Sequence, residues 1–391
     1  MAIVHWLGAG LSTPPGIQRL VQQGYELWLW NRSLDKAQGI LHQLTGQCQA
    51  RQLDWEQLDT AVNAGDILVS MLPGSLHQRV AELAISKDAH FVSSSYTSSE
   101  ISSLHAAAKA AGLCLVNEVG LDPGIDHLMA HSLVESYRAS PAYAVANKIE
   151  FKSYCGGLPA QMNDFTYKFS WSPLGVLKAL TAPAQWQELG SKQSSNKPWQ
   201  AVRDYEAILA DGSTEVFIAY PNRDSLPFMQ QYHFDREWPV ETFVRGTLRG
   251  KDWLQAWQSI FATMERLEGE PTDVVETQLS QLSATLWQKY AYAEGEADRV
   301  ILCVELAALD PDSEQKIWHQ SYQLDAYGNE QGSAMSRLVS LTVSLAVEAV
   351  LAGNIAPGLS TGPREVRLAE AWLAFLRQQG EPIVYTDHLA G

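Results

Sequence analysis

A chain of 391 residues exceeds the ~250–300 at which one hydrophobic core stops growing, so two domains are expected. Its formal net charge of −16 excludes a general binder of nucleic acid or of anionic membrane, since neither phosphate backbones nor acidic lipids attract such a surface. With no run of ~18 uninterrupted apolar residues and no basic leader ahead of the first strand-like segment, a cytoplasmic protein without a membrane span is expected.

Taken in order, residues 2–7 (AIVHWL) read as a strand that runs into Gly8-Ala9-Gly10-Leu11-Ser12-Thr13, after which Ile17, Leu20 and Val21 recur at helical spacing. Strand, glycine turn and helix together meet a pyrophosphate with unpaired N–H groups and the positive end of a helix dipole. Thr13 stands where the dinucleotide fingerprint has its third glycine, and Pro14 or Pro15 suits the first helical position. The next strand, 25–30, ends in Asn31-Arg32-Ser33, where an NAD site would carry an acid for the ribose 2′-hydroxyl. Arg32 and Ser33 instead offer donors suited to a 2′-phosphate, which favours NADP; the alternative is a solvent-facing arginine at a strand end. Residues 52–55 (QLDW), with Asp54 and Trp55, are candidates to border the adenine. Strands at 66–73 and 90–96, with helices at 80–85 and 101–111, continue the rhythm of a Rossmann-type, doubly wound parallel sheet.

A buried strand at 112–116 leads into 117–127 (NEVGLDPGIDH) and then a helix over 128–137. Gly120, Pro123 and Gly124 make a tight corner, and Asp126 is placed as the N-cap of the helix. Asp122 is left over, an acid at the carboxyl end of a strand, where ligands bind in open α/β sheets. Ser94, Ser95 and Tyr96 share that rim. The alternatives are a solvated turn aspartate and a packed tyrosine. His127 and His131 lie four apart, but no Glu follows the first and no third ligand is near, so no metal is expected.

From Val145 the alternation stops. Strand-like runs at 149–154, 216–220, 242–248, 300–307 and 317–324 predict a second, α+β domain on a mostly antiparallel sheet. A helical excursion is expected at about 174–203, and helices at 334–351 and 366–377. Residues 1–127 with roughly 350–391 are assigned to the dinucleotide-binding domain, and 128–349 to the second. Arg245 and Arg249, four apart in a strand, share one face, and with Arg223 they form a basic cluster for carboxylates. Surface ion pairs on an edge strand are the alternative. Cys48, Cys114, Cys155 and Cys303 include no CxxC pair, so neither a zinc knuckle nor a disulfide framework is indicated; Cys155 reads as a structural thiol.

Seven segments in order, 66–73 (DILVSMLP), Ser95-Tyr96, 117–127 (NEVGLDPGIDH), 153–159 (SYCGGLP), 167–172 (YKFSWS), 220–225 (YPNRDS) and 244–249 (VRGTLR), resemble the saccharopine dehydrogenase family, NADP-dependent and L-glutamate-forming. The resemblance covers most of the chain. It implies reversible, NADP(H)-dependent interconversion of L-saccharopine with L-glutamate and 2-aminoadipate 6-semialdehyde in lysine metabolism, through reduction of an imine, by a homodimer. Implied cofactor contacts are Gly8, Gly10, Leu11, Ser12, Thr13, Arg32, Ser33, Leu34, Asp54, Trp55, Leu72, Ser172 and the Leu121-Asp122-Pro123 turn. Implied substrate contacts are Ser94, Ser95, Asp122, Arg223, Thr247, Leu248 and Arg249, with Asp122, Tyr96 and Cys155 nearest the reacting carbon as catalytic candidates. The chain departs from the family at 163–166 (NDFT), where Asn-Pro-Leu-Gly is usual, at 339–342 (VSLT), where Val-Gly-Val-Pro is usual, and in a shorter segment after Arg249. These departures point to the outer wall of the substrate pocket. Two rival readings are a carboxynorspermidine-type dehydrogenase, whose cationic diamine the arginines disfavour, and a dinucleotide-binding homologue without catalysis.

Overall fold

The computed structural model describes residues 2–42, 44–209 and 211–390. The fold is α/β, in two compact units: Met1–Leu128 with Glu330–Ala374, and Met129–Asn329 with Phe375–Gly391.

The first unit carries β1 (Ile3–Leu7), β2 (Glu26–Asn31), β3 (Cys48–Gln52), β4 (Ile67–Ser70), β5 (His90–Val92) and β6 (Cys114–Val116). A further strand, Gly358–Ser360, joins the outside of β6, and the order is Gly358–Ser360, β6, β5, β4, β1, β2, β3. Every pairing is parallel. The crossovers are α1 (Pro14–Gln22), α2 (Leu34–Leu41), α3 (Trp55–Ala61), α4 (His77–Ser86), α5 (Ser99–Ser103) and α6 (His105–Ala110). β4 is apolar almost without interruption because helices cover a parallel sheet on both faces, and Leu68 packs with Leu7, Phe91, Val80 and Ala84 in one core. Strand order reverses between β1 and β4, which opens the crevice at the carboxyl ends where such sheets bind ligands.

The C-terminal division differs from the sequence expectation of a boundary near 350. The helix Ala334–Leu351 belongs to the first unit, whereas the last strand, Ile383–Asp387, belongs to the second, pairing antiparallel through Leu324↔Ile383 and its neighbours. That helix is long and apolar enough to cross a membrane, but 78% of it is buried, the pattern of a core helix. It meets α1 at Gly16, where an added Cβ would lie 2.2 Å from the Ser340 carbonyl oxygen. The Gly16 N–H donates to Ser340 Oγ at 2.9 Å, and Arg19 bonds Ser344 and Glu348. The departure at 339–342 therefore falls in the first unit, against its first helix. Gly16 thus allows a close helix–helix approach, a different job from the helix–strand packing of the fingerprint's third glycine, where Thr13 stands.

In the second unit, α7 (Ile125–Ala139, of which 129–139 lie here) precedes β7 (Lys148–Pro159), and α8 (Pro173–Thr181) follows. The excursion expected to be helical to about 203 is instead this one helix and a hairpin, β8 (Ala184–Glu188) and β9 (Ser191–Ser195). Pro183 follows the helix end, and Leu189 and Gly190 both take positive φ (49° and 67°), the two-residue turn that matches strand twist. β10 (Arg203–Ile208), β11 (Thr214–Pro221), β12 (Val240–Arg249), β13 (Asp298–Leu309) and β14 (Lys316–Tyr327) complete a nine-stranded sheet in the order β10, β11, β12, β7, β13, β14, Ile383–Asp387, with β8 on β12. Only β12 and β7 pair in parallel, so the sheet is mostly antiparallel.

Strand parity sorts its two faces. Val244 and Leu248 join Tyr154, Leu158, Trp186 and Phe217 in the core of one face. Arg249 turns to the other, where Tyr220, Tyr167 and Trp253 belong to a second core built with α8 and the helices Trp253–Ala256, Gln258–Arg266 and Thr272–Tyr290.

Candidate active site

In the first unit, Gly8 has φ +109°, and a Cβ there would lie 2.7 Å from the Met71 carbonyl oxygen, so the turn leaving β1 requires glycine beside the end of β4. The turn is pinned by Gly8 N–H to the Trp30 carbonyl (2.8 Å) and Ala9 N–H to Asn31 Oδ1 (3.2 Å). A Cβ at Gly10 would meet nothing within 4 Å, and Leu11 is 49% exposed. α1 itself has few donors to spare: Pro14 and Pro15 have no N–H, Gly16 gives its own to Ser340, and Ile17 gives its own to Thr13. The N–H groups of Gly10, Leu11, Ser12 and Thr13 form no hydrogen bond among the described residues, so the anion-binding donors lie in the loop more than in the helix.

At the end of β2, Asn31 bonds the Ser33 carbonyl and Ser33 Oγ caps α2 by accepting from Lys36 N–H. Leu34 opens that helix, half-buried. Arg32 is exposed and pairs with no carboxylate among the described residues. Asp54 is committed as the N-cap of α3, accepting from Glu56 and Gln57 N–H. Trp55 lies under the Arg79 guanidinium at 3.9 Å beside a hollow of about 390 Å³; a second hollow of about 610 Å³ is lined by Trp28, Trp30, Arg51 and Asp54.

The tips of β4, β5 and β6 form one polar rim. Leu72 is half-buried, and Ser94 Oγ donates to Met71 Sδ at 3.5 Å. His77 Nδ1 is 2.8 Å from Ser70 Oγ and its Nε2 is 2.9 Å from Ser95 Oγ. Tyr96 O–H donates to Asp122 Oδ1 at 3.0 Å, bringing together two of the predicted side chains. Asp122 is half-buried between buried Leu121 and Pro123 in a corner closed by Gly120 N–H to the Pro123 carbonyl. Gly124 is obligatory there, since its φ is +148° and a Cβ would lie 2.1 Å from the Gly120 oxygen. Asp126 is not the N-cap expected of it, because α7 already begins at Ile125; its carboxylate reaches back to Gly124 N–H at 2.7 Å. Behind the bend, Glu118 accepts from Thr97 N–H (2.9 Å) and stands 3.0 Å from His127 Nε2, while Asp126 lies 3.3 Å from His127 Nδ1. His131 packs its ring against Tyr232 and His233. Sequence reasoning passed over His77 and Glu118, neither of which sits in a motif with a mechanism of its own.

In the second unit, Cys155 on β7 is the register partner of Thr247 on β12, and both are half-buried. Arg245 and Arg249 are on an interior strand, 3% and 6% exposed, which removes the edge-strand alternative. The Arg245 guanidinium lies 3.9 Å over Phe228. That of Arg249 is ringed by Tyr167 (4.9 Å), Tyr220 (5.7 Å) and Trp253 (5.8 Å). Arg249 donates to the Leu248 carbonyl at 3.0 Å and stands beside the Tyr220 hydroxyl; its Nε has no partner and no carboxylate pairs with it among the described residues. Leu248 turns its side chain to the opposite core, and its backbone is paired with Ala219 in the ladder to β11. Arg223 is exposed, with φ +56°, and its carbonyl accepts from Gln185 N–H. Ser172 caps α8 through Gly175 N–H.

Two family models match in tandem: the saccharopine dehydrogenase NADP binding domain over residues 4–116 and the saccharopine dehydrogenase C-terminal domain over 120–380. The chain is 29% identical to the saccharopine dehydrogenase [NADP(+), L-glutamate-forming] of Pyricularia oryzae, across 96% of each chain. It is 33% identical to the protein of that name from Schizosaccharomyces pombe, over 64% of this chain and 55% of the other. Among solved structures, apo saccharopine dehydrogenase (L-Glu forming) from Saccharomyces cerevisiae superposes with a TM-score of 0.79 at 26% identity, covering 99% of this chain and all of that one. A homospermidine synthase from Legionella pneumophila shares the fold, with a TM-score of 0.65 at 10% identity.

Proposed function

Because the chain belongs to the saccharopine dehydrogenase family of NAD(P)-binding oxidoreductases, we propose that it interconverts L-saccharopine with L-glutamate and 2-aminoadipate 6-semialdehyde, using NADP(H). The residues fit a phosphorylated dinucleotide: four consecutive unpaired N–H groups at 10–13 suit a pyrophosphate, and the unpaired Arg32 suits a 2′-phosphate. When bound, that group supplies or accepts the hydride. The protein's part is binding, orientation and charge.

Arg249 carries the proposal. A guanidinium buried among aromatic rings, one nitrogen unbonded and no carboxylate beside it, suits a substrate carboxylate received by a bidentate pair of bonds. A cationic diamine would be repelled by it, which disfavours the carboxynorspermidine-type reaction. Asp122, oriented by the Tyr96 hydroxyl, steadies the positive nitrogen of the imine. Cys155, beside Thr247, shapes the substrate face.

The test is steady-state NADPH oxidation with aminoadipate semialdehyde plus glutamate, set beside a diamine plus aspartate semialdehyde. Turnover with the first pair alone is expected. Turnover with the second pair alone would replace the proposed substrate, and none with either would leave a dinucleotide-binding protein without catalysis.

A further inference from the structure

Three side chains far apart in sequence form a single buried chain of hydrogen bonds in the first unit. Ser70, the last residue of β4, is fully buried, and its Oγ lies 2.8 Å from His77 Nδ1. His77, at the start of α4, is 4% exposed, with its ring edge-on to Phe91 at 6.4 Å. Its Nε2 lies 2.9 Å from Ser95 Oγ, which is half-buried at the tip of β5. Ser95 is otherwise fixed by its backbone, through N–H to Ser93 Oγ (3.2 Å) and the carbonyl accepting from Glu118 N–H (3.1 Å).

The polarity of this chain follows from counting donors. Burial pushes the His77 imidazole down to about 4, so near neutral pH it has one donor nitrogen and one acceptor nitrogen. If Nδ1 held the proton, Ser70 would accept it and its own hydroxyl hydrogen would be left in the core. Ser70 Oγ has no other partner among the described residues, and orphaned buried donors are strongly disfavoured. Ser70 therefore donates to Nδ1, the imidazole proton is on Nε2, and Ser95 Oγ accepts it. Having accepted inward, Ser95 retains its own O–H to give outward.

We propose that His77 is a positioning residue, locked by Ser70 as the Nε2–H tautomer, that makes the Ser95 hydroxyl a dedicated hydrogen-bond donor to a carboxylate oxygen of the amino-acid substrate. The identity of that acceptor rests on the proposed function above; the tautomer does not.

Two measurements test the two parts separately. Long-range ¹H–¹⁵N NMR of the full chain near pH 7, with the His77 signal assigned by its loss in His77→Gln, is expected to show the neutral Nε2–H tautomer. In Ser70→Ala a share of Nδ1–H should appear, because Nδ1 no longer faces a donor. An Nδ1–H tautomer or an imidazolium in the unsubstituted protein, or no change in Ser70→Ala, overturns the lock. In steady-state kinetics, His77→Gln retains an N–H for Ser95 and should hold KM for glutamate within about threefold. His77→Leu and Ser95→Ala should each raise it about tenfold with KM for NADPH unchanged, and together no further than Ser95→Ala alone. Equal losses in the Gln and Leu variants, or additive losses in the double variant, overturn the positioning role. Should the Leu variant fail to fold, Ser70→Ala serves in its place, with a smaller rise in KM expected and an unchanged KM contrary to the proposal. No turnover with either substrate pair would sink the functional reading while the NMR experiment still decides the tautomer.

Discussion

The two units prepare for anions in opposite ways. In the first, most polar side chains of the rim are already engaged: Ser33 and Asp54 cap helices, His77 joins two serines, and Glu118 braces His127. What is left open is backbone, the loop N–H groups of 10–13, together with the exposed Arg32. In the second unit the open group is a desolvated side chain. Arg299 there shows what a satisfied guanidinium looks like, with Asp325 at 2.7 and 2.8 Å and Glu215 at 2.8 Å, whereas Arg249 has rings, one carbonyl and the Tyr220 hydroxyl but no carboxylate. Backbone donors remain hydrated at little cost until a ligand arrives. A buried unpaired cation is destabilising in the free protein, and that penalty is relieved when a carboxylate binds.

The contrast breaks most sharply at the two arginines. Arg249→Met should raise KM for glutamate about 10²- to 10³-fold, the range for truncating one partner of a buried charge pair. It should leave the urea midpoint unchanged or higher, since an apolar chain of similar volume replaces an unpaired charge. Arg299→Met should do the reverse, lowering stability by about 2–3 kcal/mol by stranding Asp325 and Glu215, with little effect on KM. A fall in stability for Arg249→Met as large as for Arg299→Met would mean that both arginines are structural.

Acid acts on the two units through different groups, although burial also lowers His388 in the second. The folded-state value for His77, about 4, lies below the ordinary 6.5, so the unfolded chain takes up that proton first as pH falls. Stability is therefore full above about pH 6.5 and is lost down to about pH 4, by at most ~1.4 kcal/mol per pH unit and roughly 3 kcal/mol in all. Burial lowers His5 and His90 as well, adding to the slope in the same unit. In the second unit, burial alone would raise Glu305, but His319 and Lys152 hold it down at about 2, so its contribution is lost only between about pH 4.5 and 2. Denaturant titrations at pH 7, 5.5 and 4.5 should show a shallower decline for His77→Gln than for the unsubstituted protein. Parallel declines would rule out His77 as a source of the acid sensitivity.

Within the first unit, two glycines of the opening turn and helix have separable jobs. Gly16→Ala should cost about 1–3 kcal/mol of stability, because its Cβ would press on the Ser340 backbone. Gly10→Ala has open space and a permitted backbone, so stability should hold while KM for NADPH rises several-fold as the methyl intrudes on the pyrophosphate. Equal loss of stability in both variants would leave no separate role for Gly10.

What could be read from the chain itself follows the same division. The glycine turn, Arg32 and the acid-bearing bend were legible because their signals are contiguous: a few adjacent residues specify a strand end, a turn and a helix start. The four-residue spacing of Arg245 and Arg249 was legible too, since parity alone puts them on one face. Their burial was not, because it depends on β11 and β7 closing over β12 from distant parts of the chain. Nor was the job of Gly16, which appears only when a helix more than 300 residues later is laid beside it. The C-terminal strand was not foreseen, and its residues were counted with the first domain, because a short run that completes a sheet far back in the chain carries no local sign of its partner. The β8–β9 hairpin was missed because Leu189, at a position with positive φ, is not a residue that announces such a turn.

Arg32 tests the smallest effect, and the one on which cofactor choice depends. It is exposed, so whatever it gives a 2′-phosphate is screened by water and salt, and about a tenfold preference is the expected scale. Arg32→Gln should raise KM for NADPH about tenfold and leave KM for NADH unchanged, since NADH has no phosphate at that position. Added salt gives an independent check. In the unsubstituted protein KM for NADPH should climb more steeply between low and physiological ionic strength than in Arg32→Gln, where a charge pair has been removed. Under the proposed function the loop N–H groups of 10–13 would hold the pyrophosphate of either nucleotide, so residual salt dependence common to both variants and both cofactors would belong to them. A loss in Arg32→Gln equal for NADH and NADPH would instead place Arg32 in service of the shared part of the dinucleotide, and 2′-phosphate recognition would have to be sought elsewhere on the rim.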